Sequence, residues 1–140
     1  MQVCGKCACG GVRFEANGEP RVQLYCHCRS CQIAHAAPLV AGALFRASDV
    51  TFSGETTRVT VTGREGATVR FACAKCGTKV FNEPNAKLRL ILPALCDSRE
   101  WFAPTMHIHA QDRVLDVRDD LPKYLDLPSP MGGSGKMIEG

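Results

Sequence analysis

No stretch of this 140-residue chain is long and apolar enough to span a bilayer. Residues 1–20 also lack the unbroken apolar run of a secretory leader, because Lys6, Arg13, Glu15 and Glu19 interrupt them. No window sustains a 3.6-residue apolar period, which argues against a helical bundle. Nothing repeats except a Cys-rich loop, and nothing marks a second domain. The chain therefore reads as one domain over residues 1–127. From Pro128 to Gly140 it holds Pro, Ser and Gly with little to bury, and a flexible tail is expected there.

The apolar signal that is present is short and of period two. Val12–Glu15, Thr57–Val61, Thr68–Phe71, Leu88–Leu92 and Met106–His109 alternate in this way. Such runs, rich in β-branched residues and parted by Gly, Pro or Asn, predict strands of an all-β domain. Turns are expected at Gly18-Glu19-Pro20, Ser53-Gly54, Gly63–Gly66 and Asn82–Asn85. A helical turn after Cys28 and another at Ala47-Ser48-Asp49 complete the expected elements.

Cysteine is abundant, at nine residues. Seven of the nine fall into Cys7-Ala-Cys9, Cys26-His-Cys28-Arg-Ser-Cys31 and Cys73-Ala-Lys-Cys76. C-x-C and C-x-x-C pairs aim their sulfurs at one point from a tight loop, which suits a metal better than a disulfide. Two such pairs supply the four thiolates of a closed tetrahedral zinc site. A lone triple leaves one coordination position open, as a catalytic zinc requires. Gly77 beside Cys76 allows the φ > 0 turn of a zinc knuckle. On spacing alone, Cys4 with Cys7 is as acceptable an N-terminal pair as Cys7 with Cys9. Cys96, flanked by apolar residues, reads as a small core residue.

Charge of either sign is not in great excess. The formal net charge is +3 with thiols neutral. Seven thiolates and two Zn²⁺ bring the loaded chain to neutrality. A neutral domain offers no footprint for a phosphate backbone, and the helix-borne His pair of a common DNA-binding finger is missing. Neither a nucleic acid nor a membrane is expected as a partner.

The triple Cys26, Cys28, Cys31 needs a fourth ligand: water, a His, a distant Cys or an incoming thiol. His27, between two ligands, is expected to point away from the metal. His35 follows four residues after Cys31, and His107 and His109 are expected to share one strand face. A soft thiol is a natural outside ligand for thiolate-bound zinc, which deprotonates it.

With these motifs in order, the chain resembles the family of glutathione-dependent formaldehyde-activating enzymes, which includes centromere protein V. The matching residues are Gly5-x-Cys7-x-Cys9-Gly10-x-Val12-x-Phe14-Glu15, Cys26-His27-Cys28-x-x-Cys31, Pro38 and Phe71-x-Cys73-x-x-Cys76-Gly77-Thr78. Pro104, His107 and Leu121-Pro122 extend the match toward residue 123.

The resemblance implies an all-β, β-tent-like fold of coiled antiparallel sheets stapled by zinc. It implies a structural zinc on Cys7, Cys9, Cys73 and Cys76, which leaves Cys4 outside the site. It implies a second, catalytic zinc on Cys26, Cys28 and Cys31. The implied activity is a cytoplasmic carbon–sulfur lyase that makes or breaks S-(hydroxymethyl)glutathione, with glutathione and formaldehyde as partners. The rival reading is a zinc-stapled module that binds a protein and catalyses nothing. One departure stands out: Ala36 occupies the position where the family usually has Gly. If that position takes φ > 0, an alanine there strains or shifts the loop.

Overall fold

The computed structural model describes residues 1–64, 66 and 68–138. Among these residues, ten strands form two sheets. The smaller has the order β1 (Gln2–Lys6), β2 (Arg13–Asn17), β5 (Val50–Ser53), all antiparallel. The larger has seven strands, in the order β10 (Met106–Ile108), β3 (Val22–Cys26), β4 (Val40–Arg46), β9 (Leu88–Ile91), β8 (Lys79–Asn85), β7 (Val69–Cys73), β6 (Thr56–Val59). The helix α1 (Arg29–His35) lies between β3 and β4. The all-β reading holds, with one difference: β10 runs parallel to β3. Among the described residues no helix is long and apolar enough to cross a membrane.

Alternation explains how the sheets stack. In β1 and β2, Val3, Phe14 and Ala16 are buried while their neighbours face solvent. Those three pack on Ala43 and Phe45 of β4 and Ile91 of β9. Val40 and Leu44 of β4 belong to a different cluster, with Leu24, Cys26, Cys31, Leu90 and Ile108. Strand β4 is thus buried on both faces. The small sheet covers one of these faces, and the other carries the triple of cysteines. A third cluster, Cys7, Val12, Cys73, Val80 and Phe81, joins the sheets at one end. There Phe81 stacks between Phe52 and Phe71, at 3.8 and 4.6 Å between ring centroids.

Several expected boundaries shift. Asn82–Asn85 is no turn: it is the end of β8, where the register with β9 slips between Asn82 and Asn85. Such a bulge tolerates Pro84 inside a strand. Of the expected turn at Gly63–Gly66, Glu65 lies outside the described residues. Gly54 sits at φ 104°, and a Cβ there would run into the Gly11 carbonyl oxygen.

The segment expected to be a loose tail touches the domain as far as residue 138. Its backbone bonds include Leu125 N–H to the Lys136 carbonyl at 2.8 Å and Ile138 N–H to the Lys123 carbonyl at 2.9 Å. Leu127 and Met131 pack against the cluster that holds Cys26 and Cys31. Residues 139 and 140 lie outside the described residues.

Candidate metal centres

The first centre forms where the two sheets meet. Cys7 and Cys9 lie in the turn between β1 and β2; Cys73 ends β7, and Cys76 lies in the turn to β8. All four sulfurs lie within 4.8 Å of one another. Cys7 to Cys9 is 3.6 Å and Cys9 to Cys73 is 3.8 Å. Tetrahedral zinc with Zn–S bonds of about 2.3 Å needs sulfurs about 3.8 Å apart, so the spacing fits that ion. Backbone N–H groups of Val12, Gly11 and Lys75 donate to Cys7, Cys9 and Cys73 at 3.2, 3.3 and 3.4 Å. Such bonds stabilise thiolate over thiol. Gly77 adopts φ 78°, the turn expected of it, and hydrogen bonds from Thr78 bring the Cys76 thiol down to about 5. Cys4 is exposed and takes no part, whereas Cys96 is buried in the core.

The second centre sits on the opposite face of β4. Cys26 ends β3, Cys28 caps α1 by accepting from the Cys31 N–H at 3.3 Å, and Cys31 lies in the first turn of α1. Their sulfurs also lie within 4.8 Å of one another, and among the described residues no fourth His, Cys, Asp or Glu joins them. The protons divide unevenly. Hydrogen bonds from Cys26 and then Cys31, against burial, lower the Cys28 thiol to about 2, while the same contacts and burial push Cys26 up. Three converging sulfurs, one of them strongly acidic, form a donor set that suits zinc.

Arg70 from β7 is buried and donates from Nη2 to Cys31 Sγ at 3.2 Å. Sequence reasoning missed it, because an arginine in an alternating strand looks like a solvent-facing residue. A cavity of about 390 Å³ opens over this centre. Leu24, Leu44, Ile108, Leu127 and Met131 give it apolar walls, with Thr68, Arg70, Asn82 and His109 as polar exceptions. A larger, shallower hollow of about 780 Å³ between Arg46 and Lys87 shares only Leu88 with it and reaches none of the cysteines.

The histidines are placed differently from one another. His27 is buried with its ring turned to His107, Nε2 to Nδ1 at 2.7 Å. His107 Nε2 reaches Asp119 at 2.8 Å, and Asp119 pairs with Lys123 at 2.7 Å. Burial raises Asp119, but hydrogen bonds from Lys123 and His107 outweigh it and bring the carboxyl to about 2. The carboxylate accepts from His107 Nε2–H, and in the neutral tautomer that this bond selects, Nδ1 accepts from His27 Nε2–H. That leaves His27 Nδ1 bare, and it is indeed a buried nitrogen without a partner. This chain of bonds fixes the Cys26–Cys28 segment from behind and does not line the cavity. His107 and His109 do not share a strand face: β10 ends at Ile108, and His109 turns away at φ 53°. His35 is not among the donors of the triple.

Residues 2–112 match the sequence model of the family described as glutathione-dependent formaldehyde-activating enzyme. The chain belongs to that family. Its fold is similar to the crystal structure of a Rhodobacter sphaeroides protein, at TM-score 0.54 and 21% identity, over 70% of this chain and 89% of the other. That likeness speaks for the fold alone. No curated protein matches the chain in sequence. Ala36, the alanine at a position where the resemblance implies a glycine, adopts the left-handed φ 50°, ψ 46° at the end of α1. The matched region stops before Leu127 and Met131, so the wall they add to the cavity comes from outside it.

Proposed function

We propose that the protein is a zinc-dependent carbon–sulfur lyase acting on a glutathione–aldehyde adduct, of the S-(hydroxymethyl)glutathione synthase type. One observation carries this reading: the three-thiolate cluster faces a ligand-sized cavity, whereas the four-thiolate cluster is complete within itself. Cys7, Cys9, Cys73 and Cys76 would hold a structural zinc, and Cys26, Cys28 and Cys31 the second one. Bound there, Zn²⁺ would make an incoming thiol acidic at neutral pH.

Within this reading the chain's own residues bind and orient. The cysteines of the triple are ligands, not nucleophiles, and the Cys31 N–H and Arg70 fix two of their sulfurs. Leu24, Leu44 and Ile108 keep water from the reacting atoms. In the synthetic direction the thiol sulfur's electron pair forms the C–S bond. The carbonyl π pair moves to oxygen, and the proton lost by sulfur ends there. The reverse sequence breaks the bond.

The test is zinc content per chain and metal-site absorption of the cobalt-substituted, reduced protein, with and without glutathione. Two metals, one of which changes its spectrum with glutathione and is lost in Cys28→Ser together with turnover, is the expected result. Two metals indifferent to any thiol would favour the protein-binding module instead.

A further inference from the structure

Arg70 on β7 and Asn82 on β8 stand directly opposite each other in the register of these strands. Both are buried, at 6% and 1% exposure, and both line the cavity above the cysteine triple. Each carries an unused hydrogen-bonding atom: among the described residues, Arg70 Nε and Asn82 Oδ1 have no partner. A buried donor and a buried acceptor left unpaired each cost about 1–3 kcal/mol. Yet the two belong to facing residues that share one cavity.

We infer that Arg70 and Asn82 hold the oxygen of the thiol–aldehyde adduct, Arg70 Nε donating to it and Asn82 Oδ1 accepting its hydrogen. This rests on the proposed activity and adds a site for the aldehyde oxygen. The ligand must both accept and donate at one point, as a hemithioacetal hydroxyl does. Place follows from Arg70 itself. Its Nη2 touches Cys31 Sγ, which brings the guanidinium to the cysteine triple, and the adduct oxygen is only two bonds from the adduct sulfur. The peptide amides of glutathione also donate and accept, but they lie much farther from that sulfur.

The pair has a role during bond formation as well. As the carbonyl π pair moves onto oxygen, charge develops beside a guanidinium that stays protonated throughout the physiological range. When the oxygen takes up the proton that the thiol released, the new hydroxyl points its hydrogen at Asn82 Oδ1.

The test uses zinc-loaded protein and two probes, glutathione alone and glutathione with formaldehyde, with dissociation constants read by nuclear magnetic resonance titration. In the native chain the second probe binds tighter than the first. Asn82→Leu, close to isosteric, keeps the affinity for glutathione alone and loses at least ten-fold of the tightening by formaldehyde. Arg70→Lys, which keeps the charge but has no Nε donor in that position, lowers the ratio of the two affinities at least ten-fold as well, whatever it does to glutathione alone, and serves if the leucine variant fails to fold. Equal weakening of both probes would place the contact on the glutathione amides and overturn the inference. Unchanged tightening in both variants would also overturn it. A native chain that binds no glutathione at all would defeat the proposed activity itself, a different outcome from either.

Discussion

Replacing Ala36 with glycine should stabilise the protein. Ala36 closes α1 at φ 50°, ψ 46°, with its N–H and that of Ala37 returning to carbonyls of the last turn. An L-residue with a Cβ pays roughly 1–2 kcal/mol to adopt this conformation, which glycine reaches freely. Glycine in turn loses more backbone freedom on folding, an offset of roughly 0.4–1 kcal/mol. The side chain is exposed, so removing Cβ forfeits almost no packing. The net gain is about 0.5–1 kcal/mol, or roughly 2–4 °C in Tm for a domain near this size. Urea titration of the zinc-saturated proteins, native and Ala36→Gly, measures it: the midpoint rises and the slope stays constant. A midpoint that falls would refute the reasoning, because it would mean the left-handed alanine is not strained.

Four further outcomes follow from the same structure. Under the proposed zinc assignment, Cys73→Ser should lower zinc by at least one equivalent and leave the chain largely unfolded by circular dichroism, since the four-sulfur site joins both sheets. Gly54→Ala should cost about 3 kcal/mol in urea unfolding, because it combines φ 104° with a Cβ driven into the Gly11 carbonyl. Burial first, then the charge of Arg70, holds the His35 imidazole down at about 4. Between the usual imidazole value and that one, the unfolded chain takes up the proton more readily, so stability falls as pH drops through the window. His35→Gln should flatten that part of the urea-midpoint profile, and the difference from the native chain cancels the acid loss of zinc common to both. Removing residues 124–140 should leave the four-sulfur site loaded but raise the dissociation constant for glutathione about ten-fold or more by titration, since a wall of the cavity, Leu127 and Met131, goes with it.

What could be read from the sequence follows from how locally each feature is encoded. Cys7, Cys9, Cys73 and Cys76 announce themselves by short spacings, and so do Cys26, Cys28 and Cys31; the structure gathers both sets. Strands with one solvent face, such as β2, show their alternation. Strand β4 does not, because Ala43 and Phe45 meet one cluster while Val40 and Leu44 meet another, leaving no polar face to set the period. Asn82–Asn85 carries turn residues, yet a bulge absorbs them into β8. Arg70 and Asn82 could not be found at all in this way. Their significance lies in facing each other across two strands, a relation with no signature along the chain. Ala36 was legible only through the resemblance, as an alanine where a glycine is expected, and its left-handed backbone shows why glycine would suit that position.

The four-sulfur clasp also sets an order of events during synthesis. Cys9 and Cys73 are 64 residues apart, and closing a loop of that length costs about 4 kcal/mol in chain entropy. A ribosome delivers Cys7 and Cys9 long before their partners exist. For that interval the N-terminal pair cannot complete a tetrahedron, and Cys7 cannot bury itself against Phe52, Phe71 and Phe81. The nascent chain is therefore most open to oxidation at these two thiols, and a reducing, zinc-replete surrounding matters most before Cys76 emerges.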